Sequence, residues 1–136
     1  QIGLEKLASG VSEHDAINQI HTMLNKPGTI SLGYNTLGFD DEFLRFSFAR
    51  CLLPPYTHQY LNSCSRMDLY PLVILYFLYK KDVMTWPQIN GRCSMKLENI
   101  ASSNNWLTGQ AHHAMTDVEA TLSLAKASIW RSNTLR

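Results

Sequence analysis

A histidine and an acid stand five residues apart near the C-terminal end of the chain. They are His112 and Asp117, in the string Gln-Ala-His-His-Ala-Met-Thr-Asp that covers residues 110–117. We expect Asp117 to lie one turn inside a helix and to face nearly the same side as His112. A carboxylate that holds a divalent cation, beside an imidazole that moves a proton, would suit this spacing. Taken alone, the string fits a capping histidine and a solvated helix acid at least as well.

Three consecutive acids form the second candidate group. Asp40, Asp41 and Glu42 follow the small residues of a turn and fall in the first turn of a predicted helix, where the macrodipole favours negative charge. Helix-start acids are therefore one interpretation. A strand that ends in a turn, with a helix behind it, is also where open α/β sheets present ligand-binding side chains. The residues alone leave both interpretations open.

The elements that must position these residues follow from apolar spacing and turn signals. Ser12 and Asp15 have the form of a capping box, and Asp68 just ahead of Leu69 is predicted to be a helix cap rather than a ligand. The predicted elements are helices over about 12–26, 40–53, 68–80, 94–104 and 113–131, a strand over Thr29–Tyr34 and a short strand near Ser65–Asp68.

Three local predictions can be compared directly with a structure. Residues 56–65 are predicted to be a loop, in which Tyr56, His58 and Tyr60 either stack on bases or, as loop aromatics more often do, cover the core. Residues 81–92 contain the turn-forming pairs Trp86-Pro87 and Asn90-Gly91, and they predict an exposed connection. The helix that begins at residue 40 takes its apolar positions from Phe43, Leu44, Phe46, Phe48 and Leu52.

The composition limits the class of protein. With 136 residues, of which 45% are hydrophobic and 17% charged, the chain has the size and balance of one globular domain. A net charge of +1 gives no broad footprint for nucleic acid, so binding of a polyanion must depend on local grooves or metal. Residues 72–79 are the most apolar tract and are too few to cross a bilayer. Three cysteines favour a reducing cytoplasm, and a zinc site from Cys93, His112 and His113 is disfavoured.

Strings in order along the chain resemble the DEDDh (DnaQ-like) 3′–5′ exonuclease superfamily. Its second motif has an Asn, a short gap, then an aromatic residue and Asp at a helix start, as in Asn35…Phe39-Asp40. Its third motif is His-x-Ala-x-x-Asp, as in His112…Asp117. Within the superfamily the chain most resembles bacterial exonuclease I, over about residues 10–128. The further strings that carry this resemblance are Lys26-Pro27-Gly28-Thr29, Gly33-Tyr34-Asn35, Asp41-Glu42, Ser65-Arg66-Met67-Asp68-Leu69, Trp86-Pro87, Leu97-Glu98, Ala111-His112, Ala114-Met115 and Asp117-Val118.

The resemblance implies roles for the matching residues. Asp40 and Asp117 would be metal ligands, and His112 would be the general base that deprotonates the attacking water. Asn35 and Phe39 would shape the pocket around the terminal nucleotide. The implied cofactor is Mg²⁺ or Mn²⁺, and the implied substrate is the 3′ end of single-stranded DNA, with a single-strand-binding protein as a candidate partner and no membrane. The two acids should then converge on a cation-sized gap with the imidazole at its rim.

One motif of the superfamily is missing from the sequence. Asp-x-Glu on an opening strand supplies two further acids, and no suitable string occurs in these 136 residues. We therefore predict an α/β fold, namely a partial ribonuclease H-like exonuclease domain that is mostly helical and lacks its first three strands. Residues 11–131 would form its C-terminal two-thirds, between a segment 1–10 and a tail 132–136. The uncovered sheet and helix surfaces should be apolar and exposed, and this chain alone should be nearly inactive.

Two alternative functions stay open at this point. One is another member of the superfamily, such as an oligoribonuclease or a proofreading exonuclease, because the residues that select the sugar cannot be placed. The other is a non-catalytic module that binds nucleic acid or a replication partner.

Overall fold

The computed structural model describes residues 10–106 and 114–132 of the chain. The described residues are mostly helical, and their four short strands pair as β1 with β2 and β3 with β4. The helices are α1 (Glu13–Leu24), α2 (Asp40–Arg50), α3 (Leu69–Tyr79), α4 (Leu97–Ser103) and α5 (Ala114–Ser132), and the strands are β1 (Ile30–Gly33), β2 (Ser65–Asp68), β3 (Gln88–Ile89) and β4 (Arg92–Cys93). The predicted helices and the two predicted strands are confirmed, with ends that differ by a few residues.

The chain divides into two compact units, each with its own core. Unit 1 consists of Gln1–Ser31 and Thr36–Met67, and unit 2 consists of Leu32–Asn35 and Asp68–Arg136. The candidate acids at the start of α2 therefore belong to unit 1, and the candidate acid of α5 belongs to unit 2.

Unit 1 is built around Phe48 of α2, which is wholly buried. Ser12 caps α1 as predicted, because its Oγ accepts a hydrogen bond from the backbone N–H of Asp15 at 3.1 Å. The Asp15 carboxylate accepts from Ser12 Oγ at 2.7 Å and not from the Ser12 backbone N–H, so half of the predicted capping box is formed. The ring of Phe48 makes edge contacts with the imidazoles of His21 and His58, at centroid distances of 4.9 and 5.5 Å. These contacts fix α1 and the segment after α2 on the same core residue.

The predicted loop over residues 56–65 contains two short 3₁₀ turns. His58 is 4% exposed, so it covers the core and is excluded from stacking on bases. Burial lowers the pKa of His58 below its ordinary value, because the charged imidazolium loses its hydration there. Tyr56 and Tyr60 are exposed, and stacking on bases stays a prediction for them.

Unit 2 has a larger core, which α3, α4 and α5 share with a 3₁₀ turn directly after α3. The prediction that residues 81–92 form an exposed connection is wrong for Val83 and Met84, which are buried in this core. The reason is that the turn after α3 folds back against α3 and α5 instead of running over the surface. The buried residues of the core are Leu69, Val73, Val83, Met84, Ile100, Leu124 and Ala125.

A short hairpin ends the same region. β3 and β4 are antiparallel, with Ile89 opposite Arg92. The two residues between them, Asn90 and Gly91, have φ values of 52° and 73°. Two successive positive φ values are what a two-residue type I′ turn requires, and Asn-Gly is the favoured pair for it.

Apolar side chains of several elements lie in solvent, as expected for a partial domain. Of the five apolar positions predicted for α2, only Phe48 is buried. No helix among the described residues is both long and apolar enough to cross a membrane, and α3, which holds the apolar tract, has 11 residues. The exposed apolar residues of β1, α2 and α3 include Ile30, Leu32, Phe43, Phe46, Leu75 and Leu78.

Candidate functional site

The turn between β1 and α2 carries three predicted site residues, Asn35, Phe39 and Asp40. Asn35 has a φ of 55°, in the left-handed region that asparagine tolerates better than most residues. Phe39 precedes the first residue of α2 and makes no side-chain capping bond. The backbone N–H of Asp41 donates to the carbonyl of Thr36 at 3.0 Å and closes the turn. Asp40 is thereby presented to solvent as the first residue of α2.

The three acids at the start of α2 are electrostatically different. Asp41 forms an ion pair with Arg66 at 2.6 Å, in which the side chains are 19% and 22% exposed. Glu42 forms an ion pair with Arg45, three residues further along the helix. Asp40 makes no ion pair with any residue that the structure describes. Asp40 is therefore the acid of the three that can bind a cation without first losing an arginine.

Arg66 of β2 holds the turn at both of its ends. Its Nη2 donates to Thr36 Oγ1 at 2.9 Å and pairs with the carboxylate of Asp41. Thr36 and Asp41 are also the two residues that the backbone hydrogen bond of the turn joins. One guanidinium group and one backbone bond therefore close the same segment.

Asp68, at the end of β2, anchors another part of this region. Its Oδ1 accepts the backbone N–H of Tyr70 at 2.9 Å, which confirms the predicted helix cap of α3. The same oxygen accepts the backbone N–H of Asn35 at 2.7 Å. The predicted cap therefore also fixes the backbone of a predicted substrate-binding residue.

Tyr34, next to Asn35, is held inside unit 2. Its hydroxyl donates to the carbonyl oxygen of Met95, and its ring makes an edge contact with Tyr70 at a centroid distance of 5.6 Å. Burial, with smaller contributions from Tyr70 and Asp68, raises the pKa of Tyr34. The phenol is therefore a neutral structural donor, and the segment Tyr34–Asn35 is fixed from two sides.

Asp117 lies in the first turn of α5 and its side chain is exposed. Its neighbours Thr116 and Ala120 are buried, so α5 packs inward through a different face. His112 and His113 lie outside the described residues. The predicted convergence of Asp117, Asp40 and His112 on one gap therefore stays a prediction.

The side chain of Phe39 is 71% exposed and stacks on Phe43, with ring centroids 6.0 Å apart and an angle of 18° between the planes. The two rings form an open aromatic surface beside Asp40. An exposed aromatic face of this kind is suited to stacking on a nucleobase. The predicted role of Phe39 at a terminal nucleotide stays a prediction that this exposure allows.

The described residues contain no group of three or more His, Cys, Asp or Glu side chains placed to hold a metal ion together. The two histidines of the disfavoured zinc site lie outside them. A hard divalent cation prefers carboxylate oxygens. The carboxylate of Asp40 fits that preference, because it is exposed and no basic side chain among the described residues forms an ion pair with it. The fit concerns the donor type of single residues and not a complete coordination sphere.

A role for Arg66 at the start of α2 was not predicted from the sequence. Arg66 and Asp68 are separated by two positions in a strand, so their side chains leave the same face, and both are half-buried where Ser65 and Met67 are exposed. The sequence signal for this role was that Arg66 and Asp68 place two opposite charges on the inner face of a predicted strand. Such charges need partners, and the neighbouring turn supplies them.

The chain is similar in sequence to exodeoxyribonuclease I proteins. No family model matches it. It is 37% identical over 118 residues to exodeoxyribonuclease I of Buchnera aphidicola subsp. Schizaphis graminum (strain Sg). The aligned region covers 86% of this chain and 24% of that protein. The chain thus spans about a quarter of the length of the curated relatives that it matches.

Solved structures agree with the sequence comparison. E. coli exonuclease I in complex with a dT13 oligonucleotide matches with a TM-score of 0.88 and 33% identity, over 94% of this chain and 28% of that one. A structure of an ExoI/SSB-Ct complex matches with a TM-score of 0.82 and 32% identity, over 94% and 28% of the two chains. Because about a third of the residues and the fold agree over most of its length, the chain belongs to the exonuclease I family of DnaQ-like exonucleases and forms part of an α/β exonuclease domain.

Proposed function

We propose that a protein containing this chain hydrolyses single-stranded DNA from the 3′ end and releases nucleoside monophosphates. The observation that carries the proposal is the match to exodeoxyribonuclease I over most of the chain. Two features of the molecule support it. The acids that match the second and third motifs, Asp40 and Asp117, are both exposed, and Asp40 lacks an ion pair among the described residues.

In this proposal, Asp40 and Asp117 provide carboxylate oxygens for Mg²⁺ or Mn²⁺, with two ions in the complete site. Such cations lower the pKa of water and offset the negative charge that develops on the phosphate oxygens. His112 takes the proton of the attacking water, because an imidazole with an ordinary pKa of about 6.5 is a base at neutral pH. As the water oxygen bonds to phosphorus, the bond from phosphorus to the 3′ oxygen of the preceding nucleotide breaks, and that oxygen gains a proton from solvent to become a 3′ hydroxyl.

Asn35 and Phe39 contact the terminal nucleotide in the same proposal. The exposed ring of Phe39 offers a face for the base. The side chain of Asn35 leaves from a backbone that Asp68 fixes, so it would meet the nucleotide from a constant direction. A rigid origin of this kind reduces the entropy that substrate binding costs.

Two neighbouring acids of α2 give a matched test in the full-length protein. Asp40→Asn should lower the rate of Mg²⁺-dependent degradation of a 5′-labelled single-stranded oligonucleotide by about 10³-fold or more, since a lost metal ligand costs several kcal/mol and 1.36 kcal/mol is about tenfold. Glu42→Gln removes an acid that is already paired with Arg45. It should keep the rate within about threefold of wild type, as expected for an exposed ion pair. Similar rates for both variants would contradict the assignment of Asp40.

Substrate and partner need separate measurements. DNA and RNA oligonucleotides of equal sequence distinguish the proposed activity, which is faster on DNA, from an oligoribonuclease. The proposed partner is a single-strand-binding protein, because a matching structure is an ExoI/SSB-Ct complex. Titration of the full-length protein with a labelled C-terminal peptide of that partner should give saturable binding, and a flat titration would remove the partner from the proposal. Binding of single-stranded DNA with no cleavage under any divalent cation would favour the non-catalytic module.

The 136 residues contain the second and third motifs and no suitable Asp-x-Glu string. We propose that this chain alone is nearly inactive, because two carboxylates hold two cations poorly. Purified chain, free of other nucleases, should leave single-stranded DNA intact with Mg²⁺. Degradation that disappears with Asp117→Ala would show the opposite.

A further inference from the structure

The start of α2 is held without a side-chain cap. Ser, Thr, Asp and Asn are preferred before a helix, because a side-chain oxygen there accepts one of its first N–H groups. Phe39 has no such oxygen, and no side-chain capping bond is present there. The segment from Thr36 to Asp41 is closed by one backbone hydrogen bond and by Arg66, which contacts Thr36 Oγ1 at 2.9 Å and the Asp41 carboxylate at 2.6 Å.

We propose that Arg66 is a positioning residue for cation binding by Asp40, an inference that rests on the proposed function. Asp40 lies between Thr36 and Asp41 in the sequence, so it belongs to the segment that Arg66 closes. Because the planar guanidinium contacts both ends of the turn through one nitrogen, the turn cannot open without losing one of the two contacts. The direction of the Asp40 carboxylate therefore depends on a residue that does not itself bind the cation.

The burial of Arg66 supports a fixed position. Its side chain is 22% exposed, and its Nε is buried without a hydrogen-bond partner among the described residues. A buried donor left unpaired costs free energy, so the guanidinium is not placed where its own hydrogen bonds are best satisfied. It is placed where Nη2 reaches both Thr36 and Asp41.

Arg66 also keeps Asp41 from competing with Asp40. Without the arginine, two adjacent carboxylates at the start of α2 would both be unpaired, and a cation could bind either of them or bridge them in another geometry. Residues that orient a metal ligand from behind typically change metal affinity or activity by about 10- to 100-fold when removed. We expect a change of that size for Arg66→Ala.

The test measures Mn²⁺ binding to the full-length protein by electron paramagnetic resonance, together with the thermal midpoint. Arg66→Ala should raise the Mn²⁺ concentration at half saturation by about 10- to 100-fold, and Thr36→Val, which removes one end of the contact, by a smaller factor. Arg50→Ala is the matched control, because Arg50 pairs with Glu13 at the opposite end of α2. This control should bind Mn²⁺ as wild type does.

The outcomes separate this inference from the proposed function. The proposed function fails if wild type binds no Mn²⁺, or if Asp40→Asn does not abolish the Mn²⁺ binding of wild type. If wild type binds Mn²⁺ through Asp40 and Arg66→Ala binds it equally well, only the positioning role is overturned. Should Arg66→Ala fail to fold, Thr36→Val decides, because wild-type Mn²⁺ affinity in that variant would overturn the inference. Weaker Mn²⁺ binding in Arg66→Ala alone, with a cooperative thermal transition kept in both Arg66→Ala and Arg50→Ala, supports it.

Discussion

Replacing Asp68 with alanine should destabilise the chain more than the loss of an ordinary helix cap. Asp68 Oδ1 accepts two backbone N–H groups, from Tyr70 at 2.9 Å and from Asn35 at 2.7 Å. Loss of a helix cap costs about 1 kcal/mol. Loss of a further hydrogen bond to a charged group costs about 1.5 to 3 kcal/mol. We therefore expect the free energy of unfolding to fall by about 3 kcal/mol in Asp68→Ala, as the sum of these two contributions.

Urea denaturation followed by circular dichroism measures this change. With a slope of about 2 kcal/mol per molar urea, the midpoint should move down by about 1.5 M. Asp68→Asn keeps an acceptor oxygen and loses only the charge, so it should cost about 1 kcal/mol. Ser12→Ala is an independent comparison, because the Ser12 cap accepts a single backbone N–H, that of Asp15. A loss in Asp68→Ala no larger than that in Ser12→Ala would refute the additional contribution of the bond to Asn35.

Three further results are expected from the 136-residue chain by urea denaturation. Asn35→Ala should cost about 1 kcal/mol and Asn35→Gly almost nothing, because only glycine adopts the positive φ of this position without strain. Phe48→Ala should cost about 3 to 5 kcal/mol, whereas Phe43→Ala, at a 54% exposed position, should cost less than about 0.5 kcal/mol. Burial lowers the pKa of His58, so the unfolded chain binds the proton more readily. The stability should therefore fall as the pH drops below about 6.5, and His58→Leu should reduce this dependence.

Local signals predicted the elements that depend on local chemistry. The caps at Ser12 and Asp68 and the Asn90-Gly91 turn each have a short-range cause, and each is found where it was expected. The burial of Val83 and Met84 was not predicted, because a turn signal gives the end of a helix but not the direction in which the chain continues. Apolar residues of α2 were equally misleading, since Phe43 and Phe46 have the type of core residues and lie in solvent.

The candidate site shows the same division between local and long-range causes. The resemblance implied that Asp40 and Asp117 are metal ligands, and it alone distinguished Asp40 from Asp41 and Glu42. Both roles stay predictions. In the structure the three acids differ in their ion pairs. Arg45 pairs with Glu42 three residues apart in α2, a helical spacing that can be recognised in the sequence. Arg66 pairs with Asp41 from a strand 25 positions away, which the sequence does not indicate.

A cation that binds at the start of α2 must compete with these arginines, and the competition is not equal for the three acids. The pair of Asp41 with Arg66 is four-fifths buried, so breaking it would leave a charge with little hydration. The pair of Glu42 with Arg45 is more exposed and costs less to break, yet its carboxylate already has a partner. A cation that binds Asp40 breaks no ion pair, since Asp40 is exposed and lacks an ion pair among the described residues. In the proposed site, two arginines thus neutralise the neighbours of Asp40 and leave it as the acid that a cation can bind most readily. We expect Arg66→Ala to weaken the preference for Asp40 in a chain that still folds.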